Sequence, residues 1–117
     1  MVQANELRIG NMVYKSLKSG QGRTVINPIG CQDLVRIFED IGSFNYAPIP
    51  ITEDILLKCG FEYDFISYNL HFGIDWHNGV LRFSQGKGKT IFLPCTHLHQ
   101  LQNLFFCLCG KELTIKL

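Results

Sequence analysis

Apolar positions recur along this chain with two different periods, and the change of period divides it. From Ile66 to Trp76 the even positions hold Ile66, Tyr68, Leu70, Phe72, Ile74 and Trp76, with Ser67, Asn69, His71, Gly73 and Asp75 between them. Period two predicts a strand with one buried face. Asn78-Gly79 predicts a tight hairpin, because both turn positions favour positive φ. Val80, Leu81 and Phe83 supply the return strand. Gln85 to Lys89 reads as a turn, and Thr90-Ile91-Phe92-Leu93 as a third strand ended by Pro94. The expected product is a three-stranded antiparallel meander.

Helical spacing appears on both sides of the meander. Leu98, Leu101, Leu104, Phe105 and Leu108 share one face of a final helix, with Thr96 as the expected cap and Gly110 as the stop. Leu113 to Leu117 alternates and reads as an added edge strand. Upstream, Thr52 is placed to cap a short helix whose first turn carries Glu53 and Asp54 against the helix dipole. Ile51 and Leu56 fit a hydrophobic staple, and Gly60 ends the helix. Ala47-Pro48-Ile49-Pro50 before it must be extended. Over 33–41, Leu34, Ile37, Phe38 and Ile41 have helical spacing, with Asp33 as cap and Gly42 as stop. Alternation of Leu34, Arg36 and Phe38 is the competing strand reading.

The first part of the chain is strand-rich. Leu7-Arg8-Ile9 leads through a Gly10-Asn11 turn into Met12-Val13-Tyr14. Ser19 to Gly22 forms a second turn before the β-branched Thr24-Val25-Ile26, which Pro28 and Gly30 interrupt. Segregated strands and helices predict an α+β fold: a strand-rich N-terminal half, with a small barrel-like sheet as one form of it, then a short helix, the meander and a packed C-terminal helix. One compact domain over 1–117 is expected, with a subdivision into 1–47 and 48–117 left open.

Composition narrows the function classes. The 117 residues are 46% hydrophobic and 18% charged, and the formal net charge is +1. That excludes disorder and a strong general attraction to nucleic acid or anionic lipid. No apolar run reaches the ~20 residues that span a bilayer, and residues 1–10 lack a signal-peptide core. A cytoplasmic protein with no membrane partner is expected. The five cysteines (Cys31, Cys59, Cys95, Cys107 and Cys109) are odd in number and sit beside apolar residues. They read as reduced small hydrophobes.

Four segments carry a family resemblance: Asn5-Glu6-Leu7-Arg8-Ile9-Gly10-Asn11, Pro48-Ile49-Pro50-Ile51-Thr52-Glu53, Leu57-Lys58-Cys59-Gly60-Phe61-Glu62 and His99-Gln100-Leu101-Gln102-Asn103-Leu104, the last running into Gly110-Lys111-Glu112-Leu113. In this order they span most of the chain. The chain resembles the small uncharacterised proteins encoded by bacterial phages, prophages and mobile elements. The resemblance implies a mobile-element origin and an accessory protein that binds host or phage components, defence machinery among them. It implies no activity. Cys107 and Cys109 stand where small or hydroxyl residues are usual in that pattern, which argues against cysteine chemistry.

The candidate chemistry is sparse. Cys95, His97, His99, Cys107 and Cys109 are zinc-ligand types, but on a helix His97 and His99 would sit about 200° apart, as would the two cysteines. No metal and no cofactor are expected. Gly86-Lys87-Gly88-Lys89-Thr90 has the end of a phosphate-binding loop, but Phe83 occupies the position of the first glycine and a strand follows instead of a helix. His71, Asp75 and His77 would make a small acid–base group only if the sheet formed a pocket there. No serine or cysteine lies in a nucleophile motif, so no catalytic residue is assigned. Phe106 lies among His99, Gln102 and Asn103, off the leucine stripe, and this group is the expected partner-binding surface. The leading expectation is a non-enzymatic protein-binding module. The alternative is weak nucleic-acid binding by Lys15, Lys18, Arg23, Arg82, Lys87 and Lys89.

Overall fold

The computed structural model describes residues 6–20, 22–39, 42–63, 67–70, 73–84 and 89–116. The fold is α+β, as the segregated pattern predicts, and measures 50 × 25 × 20 Å. Three strands, β1 (Met12–Leu17), β2 (Val25–Pro28) and β3 (Phe44–Ala47), make one antiparallel sheet in the order β2-β1-β3. The sheet is open, so the barrel-like form is not adopted. Helix α1 (Cys31–Glu39) connects β2 to β3. Helical spacing therefore wins over alternation in this segment. Asp33 is the third helical residue rather than the cap: its carboxylate accepts the Gly30 N–H at 2.9 Å, one half of a capping box.

The sheet has two different faces. Val13 and Tyr46 point to one side, where Leu34 and Ile37 of α1 pack over them together with Ile29. Met12 and Tyr14 point to the other and pack against the larger core of the molecule. Strand β3 was not expected from the sequence, although Phe44 and Tyr46 do alternate inward.

Helix α2 (Glu53–Lys58) begins as its composition predicts, with Thr52 accepting the Ile55 N–H at 3.3 Å. A five-stranded antiparallel sheet follows: β4 (Glu62–Tyr63), β5 (Tyr68–Leu70), β6 (Ile74–His77), β7 (Val80–Ser84) and β8 (Thr90–Pro94), in sequential order. The expected long strand over 66–76 is instead a hairpin. Tyr68 faces Trp76 and Leu70 faces Ile74 across it. Gly73 has φ +74° and its carbonyl accepts the Ser84 N–H at 2.9 Å. A Cβ there would lie 2.8 Å from the Ser84 carbonyl oxygen, so glycine is required. Asn78 and Gly79 both have positive φ, as the hairpin signal requires.

Helix α3 (Leu98–Cys109) lays Leu98, Leu101 and Phe105 on the inner face of this sheet, with Leu56, Phe61, Ile74 and Leu81. Its cap is His97, one residue after the expected Thr96, and the Gln100 side chain accepts the N–H groups of both. Residues 113–116 form no strand. Leu113 is buried against the core, and the Lys116 N–H donates to the Lys58 carbonyl at 2.9 Å.

Candidate functional site

The polar face of α3 is covered by the chain's own N-terminal segment. Buried Gln102 accepts the Met12 N–H at 2.7 Å and donates to the Gly10 carbonyl at 3.2 Å. Asn103 accepts from buried Asn11 and from Arg8 Nε, each at 2.8 Å, and donates to the Glu6 carbonyl. The Arg8 guanidinium takes both oxygens of Glu112, at 2.6 and 3.3 Å, and lies 4.6 Å from the Phe106 ring centroid. The arginine's hydrogen bonds hold the Glu112 carboxyl below its ordinary value. His99 is buried, and neither ring nitrogen has a hydrogen-bond partner among the described residues. Its Nε2 lies 3.5 Å from Glu6 Oε1. Burial lowers its pKa; Glu6 opposes that shift and His97 adds to it.

The expected partner surface therefore divides. His99 and Gln102 are buried and Asn103 is hydrogen-bonded within the chain, so these three hold the two halves together. Burial of His99 and Gln102 corrects the expectation that they face a partner. Phe106 stays 40% exposed under Arg8. The first and last segments of the family resemblance thus meet in space, and their polar residues form a joint.

The outer face of the five-stranded sheet carries a row in register: Glu62, Asn69, Asp75, Arg82 and Phe92 lie side by side across β4 to β8. Buried Asp75 pairs with Arg82 through both carboxylate oxygens and accepts from Ser67 at 3.3 Å. A concavity of about 330 Å³ lies beside this pair, with His77, Val80 and Phe92 on its walls. His77 bonds to Asn78 at 3.1 Å. His71 lies outside the described residues. The pocket that acid–base chemistry needs is present, but both oxygens of its carboxylate are engaged by the Arg82 guanidinium.

The six cations of the nucleic-acid reading fare differently from one another. Lys15 pairs with Asp33 at 3.2 Å and sits 4.3 Å from the Phe44 ring centroid. Arg82 pairs with Asp75. Lys18, Arg23 and Lys89 are exposed, and Lys87 lies outside the described residues. No helix follows Gly86-Lys87-Gly88-Lys89-Thr90; β8 does.

Two cysteines are core residues. Burial pushes the thiols of Cys59 and Cys95 up to about 11 and about 12, far from the thiolate range. Cys31 and Cys107 are exposed and Cys109 is half-buried. The His97 and His99 rings lie 6.0 Å apart, closer than helical spacing predicts, because His97 is an extended cap. Among the described residues no three His, Cys, Asp or Glu side chains converge as metal ligands. Among the same residues, no helix is long and apolar enough to cross a membrane.

One surface was missed at the level of sequence. Phe38, which helical spacing groups with Leu34 and Ile37, is 81% exposed. Val35 and Cys31 are exposed beside it. At 100° per residue these three fall within an arc of about 60°. The signal was present as a second apolar stripe at i, i+4 and i+7. Leu34 and Ile37 turn inward, their mean direction about 100° from that of the stripe.

No protein-family model, no curated protein and no solved structure matches this chain.

Proposed function

We propose that this chain is a non-enzymatic, protein-binding accessory module of phage or mobile-element origin that acts in the cytoplasm on a host or phage protein. The observation that carries the reading is the apolar stripe of α1, Cys31, Val35 and Phe38, left uncovered on a helix whose other apolar side is packed. Single exposed apolar residues are ordinary, but a contiguous stripe on a nine-residue helix is the usual form of a contact surface. The polar groups that would do chemistry are engaged elsewhere: Asp75 with Arg82, Asp33 with Lys15 and Tyr46, and the α3 amides with the N-terminal segment.

The test is affinity capture from host lysate with and without nuclease. The expected result is one stoichiometric protein that survives nuclease and is lost with Phe38→Asp, while the variant's melting temperature stays that of the parent. Recovery of nucleic acid, with nuclease stripping the associated proteins, would overturn the reading in favour of the lysine and arginine loops. So would capture of the same protein at full yield by Phe38→Asp and Val35→Asp alike.

A further inference from the structure

The five-stranded sheet ends in two unlike edges. Strand β4 is two residues long and carries Glu62, a short charged edge of the kind that resists pairing. Strand β8 is five residues, Thr90-Ile91-Phe92-Leu93-Pro94, with no charge among them. It is the longest edge strand among the described residues, since β2 and β3 have four residues each. Ile91 is 36% and Phe92 65% exposed.

The ladder fixes which backbone groups of β8 point outward. The Cys95 N–H donates to the Gly79 carbonyl at 2.8 Å. Antiparallel alternation then directs the N–H and C=O groups of Leu93 and Ile91 to β7, and those of Thr90 and Phe92 away from it. The outward edge presents two donors, from Thr90 and Phe92, and the carbonyls of Thr90, Phe92 and Pro94. Only another extended strand supplies a matching row.

We propose that this row is matched by a second copy of the chain, with β8 pairing antiparallel to its own copy about a two-fold axis at Phe92. The segment is self-complementary about that residue. Phe92 exchanges two main-chain bonds with its counterpart. Each Thr90 N–H reaches the Pro94 carbonyl of the other copy, while the Thr90 carbonyl, opposite a proline that has no N–H, is left to solvent. On the core face Ile91 meets Leu93 of the other copy. On the outer face the two Phe92 rings lie side by side, each flanked by Arg82 of its own chain. The charges tolerate this arrangement. Three strand spacings put the two Arg82 residues about 14 Å apart, beyond the screening length of physiological salt, and Lys89 falls opposite an uncharged residue. The product is one continuous ten-stranded sheet. The contact uses no residue of the α1 stripe, so it stands or falls independently of the proposed partner.

Sedimentation velocity over a range of concentrations tests it. The expected result is a species of twice the monomer mass that grows with concentration. It should vanish in Phe92→Lys, which sets two lysines face to face, and in Thr90→Pro, which removes an outward donor while sparing the bonds to β7. Both variants should keep the parent's Trp76 fluorescence and cooperative unfolding, and Phe92→Leu should keep the dimer. A parent that stays monomeric throughout overturns the proposal, as does a dimer that persists in both disruptive variants. A dimer lost instead with Phe38→Asp would place the contact on α1 and overturn it equally.

Discussion

Helices α1 and α3 use the same kinds of side chain in opposite ways. On α3 the polar residues His99 and Gln102 are buried, while Phe106 is partly exposed. On α1 the aliphatic and aromatic residues Val35 and Phe38 are exposed, while the carboxylate of Asp33 is buried. Helical periodicity decides which residues share a face. It does not decide what covers that face. The amide face of α3 is covered because the segment around Gly10 and Met12, some 90 residues earlier, brings backbone groups that the amides match. The apolar stripe of α1 has no such cover within the described chain.

The largest effect should come from the buried polar group of α1. Asp33 accepts from the Tyr46 hydroxyl at 2.7 Å, from the Gly30 N–H at 2.9 Å and from Lys15 at 3.2 Å. Burial alone would raise its pKa, but these donors and the lysine charge outweigh burial and hold the carboxyl below its ordinary value. Asp33→Ala strands all three donors beside the small core of Val13, Ile29 and Tyr46. The expected cost is about 3–5 kcal/mol of unfolding free energy, read by urea titration. Asp33→Asn should cost less, because the amide oxygen still accepts. A loss under about 1 kcal/mol in Asp33→Ala would mean the group behaves as a surface charge and would remove the contrast between the two helices.

A smaller cost is expected at the amide face of α3. Gln102→Leu keeps the volume and removes both partners of the N-terminal segment, the acceptor for Met12 and the donor to Gly10. Two backbone groups at a part-buried contact lose their side-chain partner, for about 1–2 kcal/mol. Hydrogen exchange at the Met12 amide should rise with it. The comparison sharpens against Phe38→Asp, which changes a side chain that is 81% exposed and should change stability by less than about 0.5 kcal/mol. Should Gln102→Leu prove neutral while Phe38→Asp destabilises, the assignment of cover to the two helices would be reversed.

Much of the fold was legible because local rules agree with tertiary structure at α2, at the Asn78-Gly79 hairpin and along the leucine stripe of α3. The misses have physical reasons. Period two could not separate one strand over 66–76 from the β5–β6 hairpin. Folding back with Tyr68 opposite Trp76 and Leu70 opposite Ile74 leaves these four even positions on the same face. Strand β3 was too short, at four residues, for alternation to stand out. The site was less legible than the fold. Phe106 among amides looks like a contact surface until Arg8 and Asn11 are placed on it, and that placement is a long-range fact. The pairing of Asp75 with Arg82 follows from strand register, which only the completed hairpin fixes.

The pH-dependent effect concerns His99, where α3 buries a titratable group without a hydrogen-bond partner among the described residues. Burial lowers its folded pKa below the ordinary 6.5, and His97 adds to the shift, while Glu6 at 3.5 Å opposes it without cancelling it. The folded protein therefore holds the ring neutral to lower pH than the unfolded chain does. As pH falls through 6.5 the unfolded state takes up the proton first, so stability declines, by at most about 1.4 kcal/mol per pH unit for one group. The decline ends once pH passes the lowered folded pKa. Asp33 and Glu112 act in a separate, more acid window, because their folded pKa values lie below 3.8 and 4.5. Urea titrations at pH 7 and pH 5 should show the parent losing stability and His99→Phe losing less over the same interval. An equal loss in both proteins would mean that the buried ring of α3 finds a proton as readily folded as unfolded. The amide face would then be open to water, and the contrast with α1 would fail at its most sensitive point.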